Sequence, residues 1–400
     1  MNEIIKTNSK KQSITTFLYS IALLFMFTNN HNALMIADYY QIFLLAIVAT
    51  LLSILARKQK IILSFNHIVI ISFAMNFILV NLLTSLEIDR GYFLSYLLYI
   101  CLYFVLTLKK YNSNDIYKFI TAYIHSAVIL ALMIIIIRHT YGMDTSFRYT
   151  IKFSNNEAID PNYLAAYIIV PALFSLKRWL MPVDRNKKFY YAITTLVICF
   201  GTLLTGSRAA LIALVVGILC VMYYYLIKFK KVTEKTILKI YASLIVLFFI
   251  CIISLFALPN VVESRLFESS YNDGSNKLRF AHWIASLESI GKNPLFGYGS
   301  VETKNILMSS VHHYGDVHNT VLSFWLQTGL VGLTCMIILH IRIWSLLKSG
   351  FILKSILICN VITALIISCQ LTIGFWTLLI LLEMIVQVQK ENKIQVIDLI

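Results

Sequence analysis

Charge is scarce in this chain. Only 13% of its 400 residues are Asp, Glu, Lys or Arg, against 59% hydrophobic ones. Ordinary soluble domains carry about 25% charged residues, so a soluble globular fold is excluded. Acidic residues are the scarcer sign, 19 against 34 Lys and Arg, which leaves a net charge of +15. The seven cysteines (Cys101, Cys199, Cys220, Cys251, Cys335, Cys359 and Cys369) form no CxxC pair and fall in or at the ends of apolar runs. That pattern implies neither a disulfide framework nor a cysteine metal site. No HExxH occurs, and the spacing of His312, His313 and His318 lacks the i, i+4 pairing of helical zinc ligands, so no metal and no cofactor is expected. The two halves of the chain share no repeat, a feature on which many transporters are built. No small-x-small site follows the first apolar run, which is expected to stay as a membrane helix.

What the sequence has in abundance is long apolar runs. A hydrocarbon core of ~30 Å needs about 20 residues at ~1.5 Å each. Twelve runs approach that length: residues 14–28, 35–56, 64–83, 92–108, 116–137, 162–176, 189–205, 209–227, 237–258, 320–341, 352–368 and 372–386. They are continuously apolar and do not alternate, so they predict helices rather than barrel strands. The expectation is an all-α polytopic membrane protein of about 12 transmembrane helices, forming a single integral membrane domain over residues 1–400.

Orientation follows from the connections. With the N-terminus inside, every inside segment is basic, from Lys6, Lys10 and Lys11 through Arg57, Lys58 and Lys60 to Lys390 and Lys393. Lys177, Arg178, Arg185, Lys187 and Lys188 form one such segment. The outside keeps Glu87, Asp89, Asp144, Glu157, Asp160, Glu263 and Asp316. Both termini are therefore expected in the cytoplasm. The positive charge is a topology signal, and with no basic soluble face a nucleic-acid partner is excluded.

Two outside segments are long, 138–161 and 259–317. The second is expected to be an external loop between the ninth and tenth spans, carrying part of an active site. Within it "RFAHWIASLESI" places Phe280, Trp283, Ile284, Leu287 and Ile290 at helical spacing, which predicts an amphipathic helix lying on the outer membrane surface. "NPLFGYG" then stops that helix.

Four stretches carry candidate chemistry. In "DPNYLAA", Asp160 can cap a helix with Pro161 at its first position, and Asn162 can reach a sugar. In "TGSRAAL", Gly206 and Ser207 make a turn that leaves Arg208 at a helix start, where the macrodipole disfavours a cation unless it clamps a phosphate. In the loop, Arg279 is held on the predicted helix, whereas Arg265 has Glu263 and Glu268 as neighbours. In "HNTVLSFWLQTGLVG", His318 precedes a helix capped by Asp316 or Asn319. A helix N-terminus favours the neutral imidazole, which suits a general base. His312 and His313 read as solvated loop residues.

Together these stretches resemble the bacterial O-antigen ligase and O-antigen and capsular polysaccharide polymerase family. The last has that family's His-Asn, nine residues, Gly-x-x-Gly pattern as His318, Asn319, Gly329 and Gly332. The resemblance spans about residues 160–332. It implies a C-type glycosyltransferase fold and inverting, metal-independent transfer from an undecaprenyl-diphosphate-linked glycan donor to a glycan acceptor. It also implies work at the external face of the bacterial inner membrane, in contact with membrane lipid. On that pattern Arg208 and Arg279 would hold the diphosphate and His318 would take the acceptor proton, while Asp160, Asn162 and Asn319 match motif positions of less defined role. Polymerisation of O-antigen or capsular repeat units is the leading expectation, with ligation of finished polysaccharide (lipopolysaccharide O-antigen) to lipid A core or another acceptor as the alternative. A flippase for the same lipid-linked sugars is the reading from another class.

Overall fold

The computed structural model describes residues 39–56, 61–84, 90–137, 139–141, 148–151, 159–181, 185–228, 274–312, 316–347 and 351–392. In chain order the helices are α1 (Tyr39–Ala56), α2 (Phe65–Thr84), α3 (Arg90–Thr107), α4 (Ser113–Ile137), α5 (Pro161–Leu180), α6 (Lys188–Leu204) and α7 (Arg208–Lys228). They continue as α8 (Gly274–Lys292), α9 (Gly299–Val311), α10 (Thr320–Leu346), α11 (Phe351–Ile366) and α12 (Ile373–Asn392). A short antiparallel hairpin, β1 (His139–Tyr141) with β2 (Arg148–Thr150), pairs His139 with Thr150 and Tyr141 with Arg148.

This is a polytopic all-α membrane protein. Among the described residues six helices, α2, α4, α5, α7, α10 and α12, are long and apolar enough to cross a bilayer, and α1, α3, α6 and α11 contain shorter apolar stretches. The expected runs at 14–28 and 237–258 lie outside the described residues, as do Glu87, Asp89, Asp144, Arg265 and His313. The segment read as a 259–317 loop contains two helices, α8 and α9.

α5 and α12 are buried over 83% and 89% of their span windows, against 39% for α2. They form the axis of the bundle, with the other helices around them. Aromatic packing fills the space beside the axis: Tyr96 stacks on Phe77 at 4.6 Å between centroids, and Tyr99 lies over Trp376 at 6.4 Å. A second, smaller core of Ala285, Ile290, Leu307, Val317 and Leu326 joins α8 and α9 to the first turns of α10.

Two readings are refined. Lys177 and Arg178, read as part of the basic connection after the 162–176 run, lie in the last turn of α5, both buried. Arg178 donates to the Thr121 hydroxyl at 2.7 Å, the Tyr191 hydroxyl at 3.2 Å and the Tyr117 carbonyl at 3.1 Å, and its guanidinium lies 4.1 Å from the Tyr117 ring centre. Those partners replace water, which is why the charge is tolerated inside.

The apolar stripe of α8 also divides. Phe280, Ile284 and Leu287 face outward, but Ile290 joins the second core. The inward face is His282, Ala285, Ser286 and Ser289, mostly small residues that let α8 approach α10 closely.

Candidate active site at the helix N-termini

Each of three long helices begins at one of the motifs. Asp160 is the N-cap of α5, its carboxylate accepting from the Asn162 N–H at 2.7 Å, with Pro161 in the first turn. Gly206, at φ +60°, turns the chain between α6 and α7, and Arg208 opens α7. Asn319 is the N-cap of α10, its side-chain oxygen accepting from the Leu322 N–H at 3.0 Å. Asp316 is not the cap: its carboxylate accepts the Tyr163 hydroxyl at 2.7 Å.

Hydrogen bonds bring these helix starts together. The Ser207 hydroxyl donates to Asn162 Oδ1 at 2.9 Å, linking α7 to α5, and the Tyr163–Asp316 bond links α5 to the approach to α10. Three N-termini thus share one mouth, each contributing the positive end of its dipole.

A residue missed in the sequence joins them. Arg148, on β2 and buried, donates to Asn162 Oδ1 at 2.7 Å and to the Thr205 carbonyl at 3.2 Å. Asn162 Oδ1 therefore accepts two hydrogen bonds from inside the protein, which tie β2 and the turn before α7 to the start of α5.

Across the mouth, α8 presents Arg279 and, one turn on, His282. The His282 ring is fully buried and stacks on His318 with centroids 6.1 Å apart and planes 16° from parallel. His318 itself adopts φ +56°, a left-handed conformation that costs a non-glycine residue about 1–3 kcal/mol and is concentrated at functional sites. Burial pushes the His318 imidazole below its ordinary pKa, the Arg279 guanidinium and His282 lower it further, and the Asp316 and Asp160 carboxylates act against them. The neutral ring expected from a helix N-terminus is thus produced mainly by desolvation and a neighbouring cation. His312 ends α9 in a left-handed cap with an exposed side chain.

The two glycine motifs interlock. At Gly329 (φ +65°) α10 is kinked. In an unbroken helix the Leu330 N–H would donate to the Leu326 carbonyl. Instead it donates to the Pro294 carbonyl at 2.9 Å, while the Leu326 carbonyl accepts from the Tyr298 N–H at 2.8 Å. The "NPLFGYG" segment inserts into the kink and satisfies both halves of the broken bond. A Cβ at Gly329 would collide with the Leu295 carbonyl, and one at Gly297 (φ +75°) with the Gly329 amide. The clip ties α8, bearing Arg279 and His282, to α10, which follows His318. Among the described residues no group of three or more His, Cys, Asp or Glu side chains is placed to hold a metal ion.

Fold and mouth together define a multi-pass membrane protein with a basic, histidine-containing site where three helices begin. A family model described as O-Antigen ligase matches residues 193–337, the stretch that holds Arg208, Arg279, His318 and the Gly329 kink. Over that stretch the chain is similar to the O-antigen ligase family, a family of membrane enzymes of polysaccharide biosynthesis. An uncharacterized protein of Haemophilus influenzae is 26% identical over 240 residues, 54% of this chain. Those residues are 55% of that relative, so the chain spans about half its length.

Proposed function

We propose that this protein transfers a glycan from a polyprenyl (undecaprenyl) diphosphate to a sugar hydroxyl of an acceptor, at the external face of the cytoplasmic membrane, and that it acts as a polymerase of repeat units. The acceptor oxygen bonds to the anomeric carbon as the bond from that carbon to the diphosphate oxygen breaks. The bonding pair leaves with the diphosphate, and the acceptor proton passes to His318 and then to water. Arg208 and Arg279 hold the diphosphate and stabilise the charge that develops on it. Asp160, Asn162, Asn319 and Arg148 act as positioning residues, because their side chains tie the helix starts to one another and to the caps.

The observation that carries this reading is the electrostatic and stacking contact of His318 with Arg279, Asp160 and His282, on a mouth bonded through Asn162 to the turn before Arg208. A neutral base beside a cation is what attack by a hydroxyl on a diphosphate-activated sugar requires. The polyprenyl tail stays in lipid while the glycan stays in water.

A second reading, ligation of finished glycan to a lipid A core, is favoured by the description of the family model. Surface glycan from a deletion strain separates the two. A single repeat unit left on the core indicates lost polymerisation, and bare core with retained lipid-linked polymer indicates lost ligation. Release of polyprenyl diphosphate from a lipid-linked repeat unit by the purified protein tests both against a flippase, which releases none.

A further inference from the structure

Directly behind His318 lies a group of buried polar side chains that the transfer chemistry above does not use. The 3-10 turn Cys369–Leu371, between α11 and α12, packs on the first turn of α10. The Thr320 hydroxyl donates to the Ile367 carbonyl at 2.7 Å and accepts from the Cys369 N–H at 2.7 Å. This brings Ser368 and Gln370 within a few residues of the base.

Gln370 is 0% exposed, and its amide lies beside the Tyr92 hydroxyl without a hydrogen bond of good geometry on either its oxygen or its nitrogen. The hydroxyls of Ser368 and of Ser323, one turn along α10 from Thr320, are 1% exposed and, among the described residues, have no hydrogen-bond partner. Gln370 faces the Tyr92 hydroxyl, which accepts from Gln327 Nε2 at 2.6 Å. Tyr163 donates its hydroxyl to Asp316, on the approach to α10, at 2.7 Å.

Native interiors rarely leave such groups unmatched. Three in one place, neutral, offering both donors and acceptors and walled by tyrosines, match the chemistry of a pyranose: an apolar ring face edged by hydroxyls. The arginines belong to α7 and α8, whereas this polar group belongs to the first turn of α10 and the turn before α12. Ser368, Gln370, Tyr92 and Tyr163 also lie outside the segment 193–337 shared with the family model, as suits residues that select one acceptor.

We infer that Gln370, Ser368 and Ser323, with Tyr92 and Tyr163, form the subsite for the acceptor saccharide, and that Gln370 determines which sugar is accepted. This rests on the proposed transfer reaction, but its first test does not. Trp376 donates its indole N–H to the Gln370 carbonyl at 2.9 Å and reports on the subsite by its fluorescence.

Full-length protein in lipid nanodiscs is titrated with a panel of free, defined oligosaccharides in the absence of donor. Saturable binding of at least one panel member is expected. Gln370→Ala should keep the melting temperature within a few degrees and weaken that binding at least about tenfold, with partial recovery in Gln370→Asn. In transfer assays the same variant should raise KM for acceptor by a similar factor and leave KM for lipid-linked donor within about twofold. Wild-type protein that binds no panel member, binding unchanged in Gln370→Ala, or an equal rise in KM for donor would each overturn the assignment. Binding without transfer would leave the subsite in place and remove the proposed reaction.

Discussion

Helix α5 carries a polar cluster at each end, about 25 Å apart at ~1.5 Å per residue, and the two are built differently. At its C-terminal end Arg178 is closed in by Thr121, Tyr191, the Tyr117 carbonyl and the Tyr117 ring. A similar closed arrangement surrounds Glu383 on α12. Its carboxylate accepts from Asn66 Nδ2 at 2.6 Å and from the Ser64 hydroxyl at 3.2 Å, and Arg342 donates to Asn66 at 3.0 Å. At the N-terminal end of α5 three arginines and two histidines meet two carboxylates, His318 is strained, and Gln370, Ser368 and Ser323 have polar atoms without a hydrogen bond of good geometry. Burial alone therefore does not mark a functional charge. A group enclosed by matched partners holds the bundle together, and a strained, unevenly matched group is set to receive something.

The contrast breaks most visibly if the wrong end proves to matter for turnover. Arg208→Ala and Arg279→Ala should each lower kcat/KM for lipid-linked donor by about 10²–10³-fold while the melting temperature stays near that of the wild type. Arg178→Ala should do the reverse. It should destabilise the protein by about 2–4 kcal/mol, read as earlier thermal aggregation in detergent, and leave transfer by the folded fraction within about threefold. A smaller effect sharpens the description of the base. Since His318 must be neutral to accept a proton and its pKa is lowered, activity should fall only as pH drops through that depressed value. Arg279→Gln removes a lowering influence and should move the acid limb of the rate profile to higher pH, whereas Asp316→Asn removes a raising one and should move it lower. An acid limb fixed in both variants would separate His318 from the rate.

Much of the bundle was legible because lipid imposes one rule: a spanning helix needs about 20 apolar residues, and runs such as 209–227 and 320–341 show it. The motif residues were legible too, since Asp160 and Asn319 cap helices by short-range chemistry that sequence spacing records. Arg148 was not, because it reaches Asn162 from a hairpin whose pairing the sequence signals weakly, and neither was His282, whose stacking on His318 depends on how α8 seats against α10. The glycines of "NPLFGYG" and of the Gly329–Gly332 pair were visible as two separate signals. Only the fold shows that one loop fills the break in the other helix, so that a hydrogen bond lost within α10 is replaced by two across the clip.

The central claim is that a neutral imidazole at residue 318 takes the acceptor proton while arginines hold the lipid diphosphate. Its most direct test is release of polyprenyl diphosphate from a defined lipid-linked repeat unit, in the presence of acceptor, by purified wild-type and His318→Ala protein in nanodiscs. The account predicts steady release by the wild type and a loss of at least about 10³-fold in His318→Ala, with donor binding nearly intact. Release by His318→Ala at close to the wild-type rate would contradict it.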